Sequence, residues 1–559
     1  MQSKLGTSLT VCLAIGAAFA CTNSVVQVPE GGAGENTTNF TAPARTRATA
    51  YRRLTESQYR HTIADAFGKD IVINARFEPE QRELGLQAIG NARLSITTSG
   101  LEQYLTVARS IADQVVDGKN APSLVGCEGA AADAACAERF VENQGRLLFR
   151  RPLADGEVAN FMASFSQGAL EGGQFSKGIK LALIGMLMSP EFLFRIERAE
   201  PDPQDPAKLR LDAYTKASRL SYMLWDSGPD EELFEAARSG ALHKPDELAR
   251  QVDRLLGSPR FEAGARAFFS DMLQFEMFDS LSKDGATYPK FSQAVADSAR
   301  EETLKFLVDH LVARKGDYRD IFTSRETFLN RTLAAVYNVP YPSDDPWTRF
   351  EFPPPSERSG VLTQVTFLSL FSHPGTSSPT VRGVKLYDIF MCVALPQPPP
   401  DVDFSKVQAS EKGTVRSRLI EHKTNPGCYG CHNISDPPGL ALERFDSIGQ
   451  FRRLENDAPI DVTAEINGHH FEGSTGLGGF MRQSELVPQC LVRNVHYYGV
   501  GRGLDARDDS LLQRQREAFA ANGYEFPALL RSVLTDPQFF TPLLPAEEGG
   551  AAVAATAVR

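Results

Sequence analysis

Two cysteines three residues apart, followed at once by a histidine, form the segment of this chain best suited to chemistry: Asn425-Pro426-Gly427-Cys428-Tyr429-Gly430-Cys431-His432. Thiols at that spacing lie on one turn and can both add to the vinyl groups along one edge of a macrocycle. The adjacent imidazole then projects under the iron, and C-x-x-C-H is the attachment signature of c-type haem. The expectation is one covalent haem c, with Cys428 and Cys431 as thioether donors and His432 as the proximal iron ligand. Three other readings compete. A thioredoxin-like C-x-x-C calls for a βαβ setting, which the pattern around it lacks. A zinc site calls for four ligands, and neither a second C-x-x-C nor an H-x-x-x-H pair follows. A local disulfide leaves His432 without a role.

The opposite face of the iron is less defined. Met481 follows the motif at a separation suited to returning a thioether to the metal, although a methionine at the start of a helix is more often core. His373, in the polar loop His373-Pro374-Gly375-Thr376-Ser377-Ser378-Pro379, is the alternative distal ligand. Of the cations near the motif, Arg382 and Arg444 are the candidate partners for haem propionates, because a guanidinium recognises a carboxylate with two parallel bonds. Arg452 and Arg453 read as further cations of the same neighbourhood. His469, His470 and His496 read as solvated or structural, with His469 and His470 flanking a turn close to the motif.

Other chemistries find no support. The chain has no G-x-S-x-G elbow, P-loop or H-E-x-x-H, so no catalytic residue is assigned and turnover is left open. Gly499-Val500-Gly501-Arg502-Gly503 follows a helical pattern instead of a strand, which argues against nucleotide binding. A formal net charge of −11, without basic runs interleaved with aromatics, sets nucleic acid aside.

The elements that must position the motif are mainly helical. Thr55-Glu56-Ser57-Gln58 is a capping box opening a helix to Phe67, which Gly68 ends. Helical periodicity continues over 101–116, 137–149, 153–165, 177–188, 212–224, 246–256, 260–275 and 292–312. Proline-rich breaks fall at 200–206 and 340–355, and Leu395 to Asp401 reads as an extended strap. One hairpin is expected, with 460–466 returning over 469–472 through a type I′ turn at Asn467-Gly468. Hydrophobic residues at 42% and charged residues at 23% are ordinary for a globular chain with a sizeable core.

The N-terminus reads as an export signal, with Lys4, an apolar stretch from Leu5 to Phe19, and a small-x-small site at Ala18-Phe19-Ala20. Cys21 follows directly and is a candidate for lipidation. The expected location is therefore the periplasm, either free or as an outer-membrane lipoprotein, with membrane contact only through that lipid. Eight cysteines then sort completely. Cys12 leaves with the signal, Cys21 takes the lipid, and Cys428 and Cys431 take the haem. The remaining four are expected to pair as Cys127–Cys136 and Cys392–Cys490 in an oxidising compartment, against the alternative of four buried thiols.

Several longer signatures occur in order: Arg52-Arg53-Leu54-Thr55-Glu56-Ser57-Gln58-Tyr59-Arg60; Phe149-Arg150-Arg151-Pro152-Leu153; Ser189-Pro190-Glu191-Phe192-Leu193-Phe194-Arg195; and Ala217-Ser218-Arg219-Leu220-Ser221-Tyr222-Met223-Leu224-Trp225. Further along come Thr376 to Gly383, Asp436-Pro437-Pro438-Gly439-Leu440-Ala441-Leu442-Glu443-Arg444-Phe445-Asp446, and Tyr498-Gly499-Val500-Gly501-Arg502-Gly503-Leu504. With these the chain resembles the large exported bacterial proteins built of five successive modules of unknown function, with a cytochrome-c-like module near the end. The resemblance spans Arg52 to Phe540. It implies a mainly α, multi-module helical body with a cytochrome-c-like C-terminal region containing a small β-hairpin.

The expected layout is a signal at 1–20, a flexible tether at 21–50, and helical modules at 51–119, 120–200 and 208–340. Module 4, with the haem motif, spans 357–455, module 5 spans 456–545, and a disordered tail spans 546–559. The functional expectation is an exported haem protein transferring single electrons to an unknown redox partner. The alternatives are a haem-dependent oxidase or peroxidase-like enzyme, and a non-haem binding or scaffold lipoprotein. Mass analysis of the exported protein should find the chain cut after Ala20; an exported product that retains residues 1–20 would refute the signal.

Overall fold

The computed structural model describes residues 47–542 except 128–132, 173, 342, 396–412 and 425. The signal, Cys21, most of the tether, the proline strap and the C-terminal tail lie outside the described residues. The fold is mainly helical, with small sheets of two or three strands.

The helix Glu56–Phe67 begins as its sequence dictates. Thr55 Oγ1 accepts from the Gln58 N–H at 3.2 Å, the Gln58 side chain accepts from the Thr55 N–H, and Gly68 stops the helix at φ 94°. The helices Thr98–Asp117, Ala134–Phe149, Asp155–Gly172 and Phe175–Leu187 follow. Their apolar faces close one core around Ile63, Ile111, Phe140, Leu183 and Met186. A larger core gathers the helices Ala213–Trp225, Phe261–Met272, Gln293–Leu307, Leu486–Val500 and Phe526–Thr535. The described residues form one unit, and a third, small cluster of Val415, Leu419 and Leu440 lies at the helix Pro426–Leu440.

Three strands were not legible as such. β1 (Arg47–Arg53), β2 (Phe194–Asp202) and β3 (Asp205–Leu211) form an antiparallel sheet in that order, where the sequence reads the end of a flexible tether at 47–50 and a proline break at 200–206; pairing with β2 orders residues 47–50 as strand. The buried face of β2 carries Arg195, Glu197 and Ala199, so the alternation that marks a strand is written in charge instead of hydrophobicity. The expected hairpin forms as Thr463–Ile466 and His469–Glu472, with Asn467 and Gly468 both at positive φ as a type I′ turn requires. Both disulfides form with the expected pairing, Cys127–Cys136 and Cys392–Cys490. The second joins segments 98 residues apart, which gives it the larger loop-closure effect on the unfolded chain.

The helix Gln293–Leu307 carries a fully buried acid. Glu302 accepts from Thr327 Oγ1 at 2.6 Å and from the Tyr337 hydroxyl at 2.7 Å, and burial raises its carboxyl from 4.5 to about 7. The folded chain therefore holds this proton to higher pH than the unfolded chain does. The contribution of Glu302 to stability should fall as pH rises from 4.5 to about 7, by roughly 3 kcal/mol for a shift of this size. Glu302→Gln should remove that fall, as read by urea unfolding at pH 5 and 7.5; the same pH dependence in the variant would refute the assignment.

Candidate functional site

The motif sits in the first turns of the helix Pro426–Leu440, here the motif helix. Positions 428, 431 and 432 fall on one side of a helix with 3.6 residues per turn. Cys428, Cys431 and His432 are each half-buried. His432 Nδ1 lies 3.0 Å and 3.1 Å from the two carboxylate oxygens of Asp436, one turn on. Asp436 is itself fully buried and accepts from Thr380 Oγ1 at 2.7 Å. Nδ1 is thus committed to the carboxylate, and Nε2 is the nitrogen that a metal would take.

The motif helix is set by the helix Pro379–Leu386, which crosses it at very short range. A Cβ on Gly383 would lie 1.6 Å from the Ser435 carbonyl oxygen, and one on Gly439 would lie 1.9 Å from that of Pro379. Both positions therefore need glycine. Pro437 and Pro438 lie inside the motif helix and remove the N–H donors that the carbonyls of Asn433 and Ile434 would otherwise receive.

The segment after the motif is locked by Arg382, which is fully buried. Its guanidinium donates to the carbonyls of Phe445 at 2.9 Å, Asp446 at 2.6 Å, Leu442 at 3.3 Å and Leu368 at 3.2 Å, and pairs with Glu443 at 3.4 Å. Burial lowers it to about 10. Glu443 also accepts from Ser377 and Arg452. Arg444 is held by Glu357, with its Nη1 at 2.7 Å from both oxygens. The two arginines expected to face propionates therefore have protein partners: Arg382 anchors a turn and Arg444 forms an ion pair.

The distal candidates are also placed. Met481 is fully buried in the larger core, on the helix Gly473–Gln483. That helix presses on Phe322, whose carbonyl oxygen would lie 2.3 Å from a Cβ on Gly478. Its sulfur is a core atom, because the apolar face of that helix takes it inward. His373 lies in an exposed loop, where its carbonyl accepts from Ser447 Oγ at 2.7 Å and from Lys283 Nζ at 3.3 Å. Burial and Lys283 lower its ring below the usual histidine range, which favours the neutral form.

An open groove of about 960 Å³ runs along the flank of the motif helix, between Tyr429, Asn433 and Pro437 on one side and the hairpin with His470 and Phe471 on the other. Cys428, Cys431 and His432 are not among its lining residues. Among the described residues no cluster of three or more His, Cys, Asp and Glu is arranged to hold a metal ion. The residue that sequence reasoning missed is Asp436, although a carboxylate four positions after a histidine on a helix was a readable signal.

Fold and site together define a mainly helical, multi-module protein with a C-x-x-C-H motif on a buttressed helix. Five stretches match, in order, families described as proteins of unknown function: DUF1587 over 52–117, DUF1595 over 136–197, DUF1592 over 211–339, DUF1588 (PSCyt3) over 358–455 and DUF1585 over 467–539. No curated protein and no solved structure matches the chain. Met481→Ala should lower stability by about 2–5 kcal/mol, the cost of truncating a buried methionine, in chemical unfolding; a loss below 1 kcal/mol would argue against the core assignment.

Proposed function

We propose that this chain is an exported c-type haem protein that passes single electrons to a redox partner. The observation that carries the reading is the donor set: two thiols and an imidazole on one side of one helix, with Asp436 holding Nδ1 of His432. Those residues fit the group, since Cys428 and Cys431 would bind it covalently and His432 Nε2 would ligate its iron. Bound there, haem would supply one-electron redox chemistry. Asp436 fixes the ring tautomer and orientation of His432, and would raise the basicity of Nε2 and so favour the oxidised state of an iron bound there. The PSCyt3 name of the family matched over 358–455 is consistent with a cytochrome.

Two disulfides fit an oxidising compartment and so support export. Among the described residues no helix is long and apolar enough to cross a membrane. Attachment by lipid on Cys21 remains part of the proposal. A second reading, an oxidase or peroxidase-like enzyme with an open iron position, is favoured by the burial of Met481 in the core.

Expression in a host competent in cytochrome maturation tests both readings. Denatured protein should keep its haem, with a reduced pyridine spectrum typical of two thioether links. Cys431→Ser should keep at most one link, and a colourless product would return the chain to the scaffold reading. The oxidised protein should lack the far-red band of methionine ligation, and Asp436→Asn should raise its midpoint potential. A low-spin ferric spectrum would support the carrier, and a high-spin one the enzyme.

A further inference from the structure

Three of the sequence signatures meet at a cavity far from the motif in sequence. It has a volume of about 360 Å³ and lies between β1, the residues Ile89 to Arg93, β2, and the end of the helix Leu486–Val500. Four arginines line it, Arg52, Arg93, Arg195 and Arg502, against one carboxylate, Glu197. Arg52 comes from the first signature, Arg195 ends the Ser189 to Arg195 signature, and Arg502 lies in the Tyr498 to Leu504 signature.

Each charge but one has a partner. Glu197 is taken by Arg219, through contacts of 3.1 Å and 2.6 Å. Arg52 donates to the carbonyls of Tyr498 at 3.0 Å and Gly499 at 3.1 Å. Arg502 pairs with both oxygens of Asp508, and Arg93 meets Glu83 at the exposed rim. Arg195 is 7% exposed and has no such partner. Its Nε makes no hydrogen bond, and the carboxylate that acts on it, Glu197, is already bonded to Arg219. It is held by stacking over the Tyr222 ring, 4.8 Å from the centroid.

Three buried guanidiniums, of Arg52, Arg195 and Arg219, therefore face one buried carboxylate. Buried charges are ordinarily paired. The excess positive field is consistent with the lowering of Arg52 to about 9, for which burial is the first cause and Arg195 the next. The chain also places Arg52 with care. Gly501 sits at φ 66°, and a Cβ there would lie 2.2 Å from the Arg52 guanidinium.

We infer that this cavity binds a small oxyanion, a carboxylate or a phosphate, on the guanidinium of Arg195. A guanidinium presents a planar fork of donors that matches either group. The volume falls at the lower end of the range for small-molecule sites, about 300–1,000 Å³.

Thermal unfolding of the full chain, titrated with sodium phosphate, sodium acetate and, at matched ionic strength, sodium chloride, tests the inference. Phosphate or acetate should raise Tm with saturation while chloride does not, and which of the two saturates identifies the class. Arg195→Met should abolish that rise while unfolding, without anion, at or above the Tm of the parent, because it removes an unpaired buried charge. Arg93→Ala, at the exposed rim, should weaken binding several-fold in calorimetry without changing the Tm of the anion-free protein. Equal rises with all three salts, no rise with any, or an unchanged response in Arg195→Met would overturn it.

Discussion

The geometry around the C-x-x-C-H motif depends on one buried cation. Arg382 gathers carbonyls from both sides of the chain, three from the turn after the motif helix and one from Leu368, and adds Glu443. A desolvated guanidinium with unmet donors would be costly, so the helix Pro379–Leu386 and the segment Leu442 to Asp446 cannot separate without exposing that cost. The same helix supplies Thr380 to Asp436, and Asp436 holds His432. The orientation of the imidazole is thus tied through one residue to the larger core. The close crossing at Gly383 and Gly439 makes that tie rigid, since neither helix has room to roll.

Buried charge is used repeatedly in this fold. Arg358 lies among the rings of Tyr337, Phe352 and Phe445 and donates to the carbonyls of Thr363 and Gly449. Arg150 reaches the carbonyls of Phe192 and Phe194 and the Tyr222 hydroxyl. Arg358 and Arg150 act as crosslinks through these carbonyls between segments distant in sequence. Arg195 departs from that pattern: it has the stacking ring but no acceptor on its Nε.

Local signals were readable in proportion to how local their physics is. The capping box at Thr55, the Gly68 stop and the Asn467-Gly468 turn depend on a few consecutive residues, and each stands where the sequence places it. The helix Gln293–Leu307 was legible from its apolar spacing. The sheet β1–β2–β3 was not, because its inward face is charged and its stability comes from partners in other modules. The motif helix was not legible through Pro437 and Pro438, where local rules favour a break and packing against the helix Pro379–Leu386 overrides them.

The sequence by itself determined the thiol and imidazole spacing of the motif segment, the even set of cysteines and the mainly helical class, because residue type, spacing and apolar periodicity are properties of the chain alone; which cysteines pair was settled by the fold. The tertiary structure decided the roles of side chains whose surroundings come from elsewhere. Arg382 and Arg444 read as cations near the motif, and only the arrival of the carbonyls of Phe445 and Asp446 and of the Glu357 carboxylate made them a buried anchor and an ion pair. Met481 read either as a candidate ligand, beside His373, or as core, and the fold buries it in the larger core. A side chain's type sets what it can do, but its burial and its partners depend on which distant segments the fold brings to it.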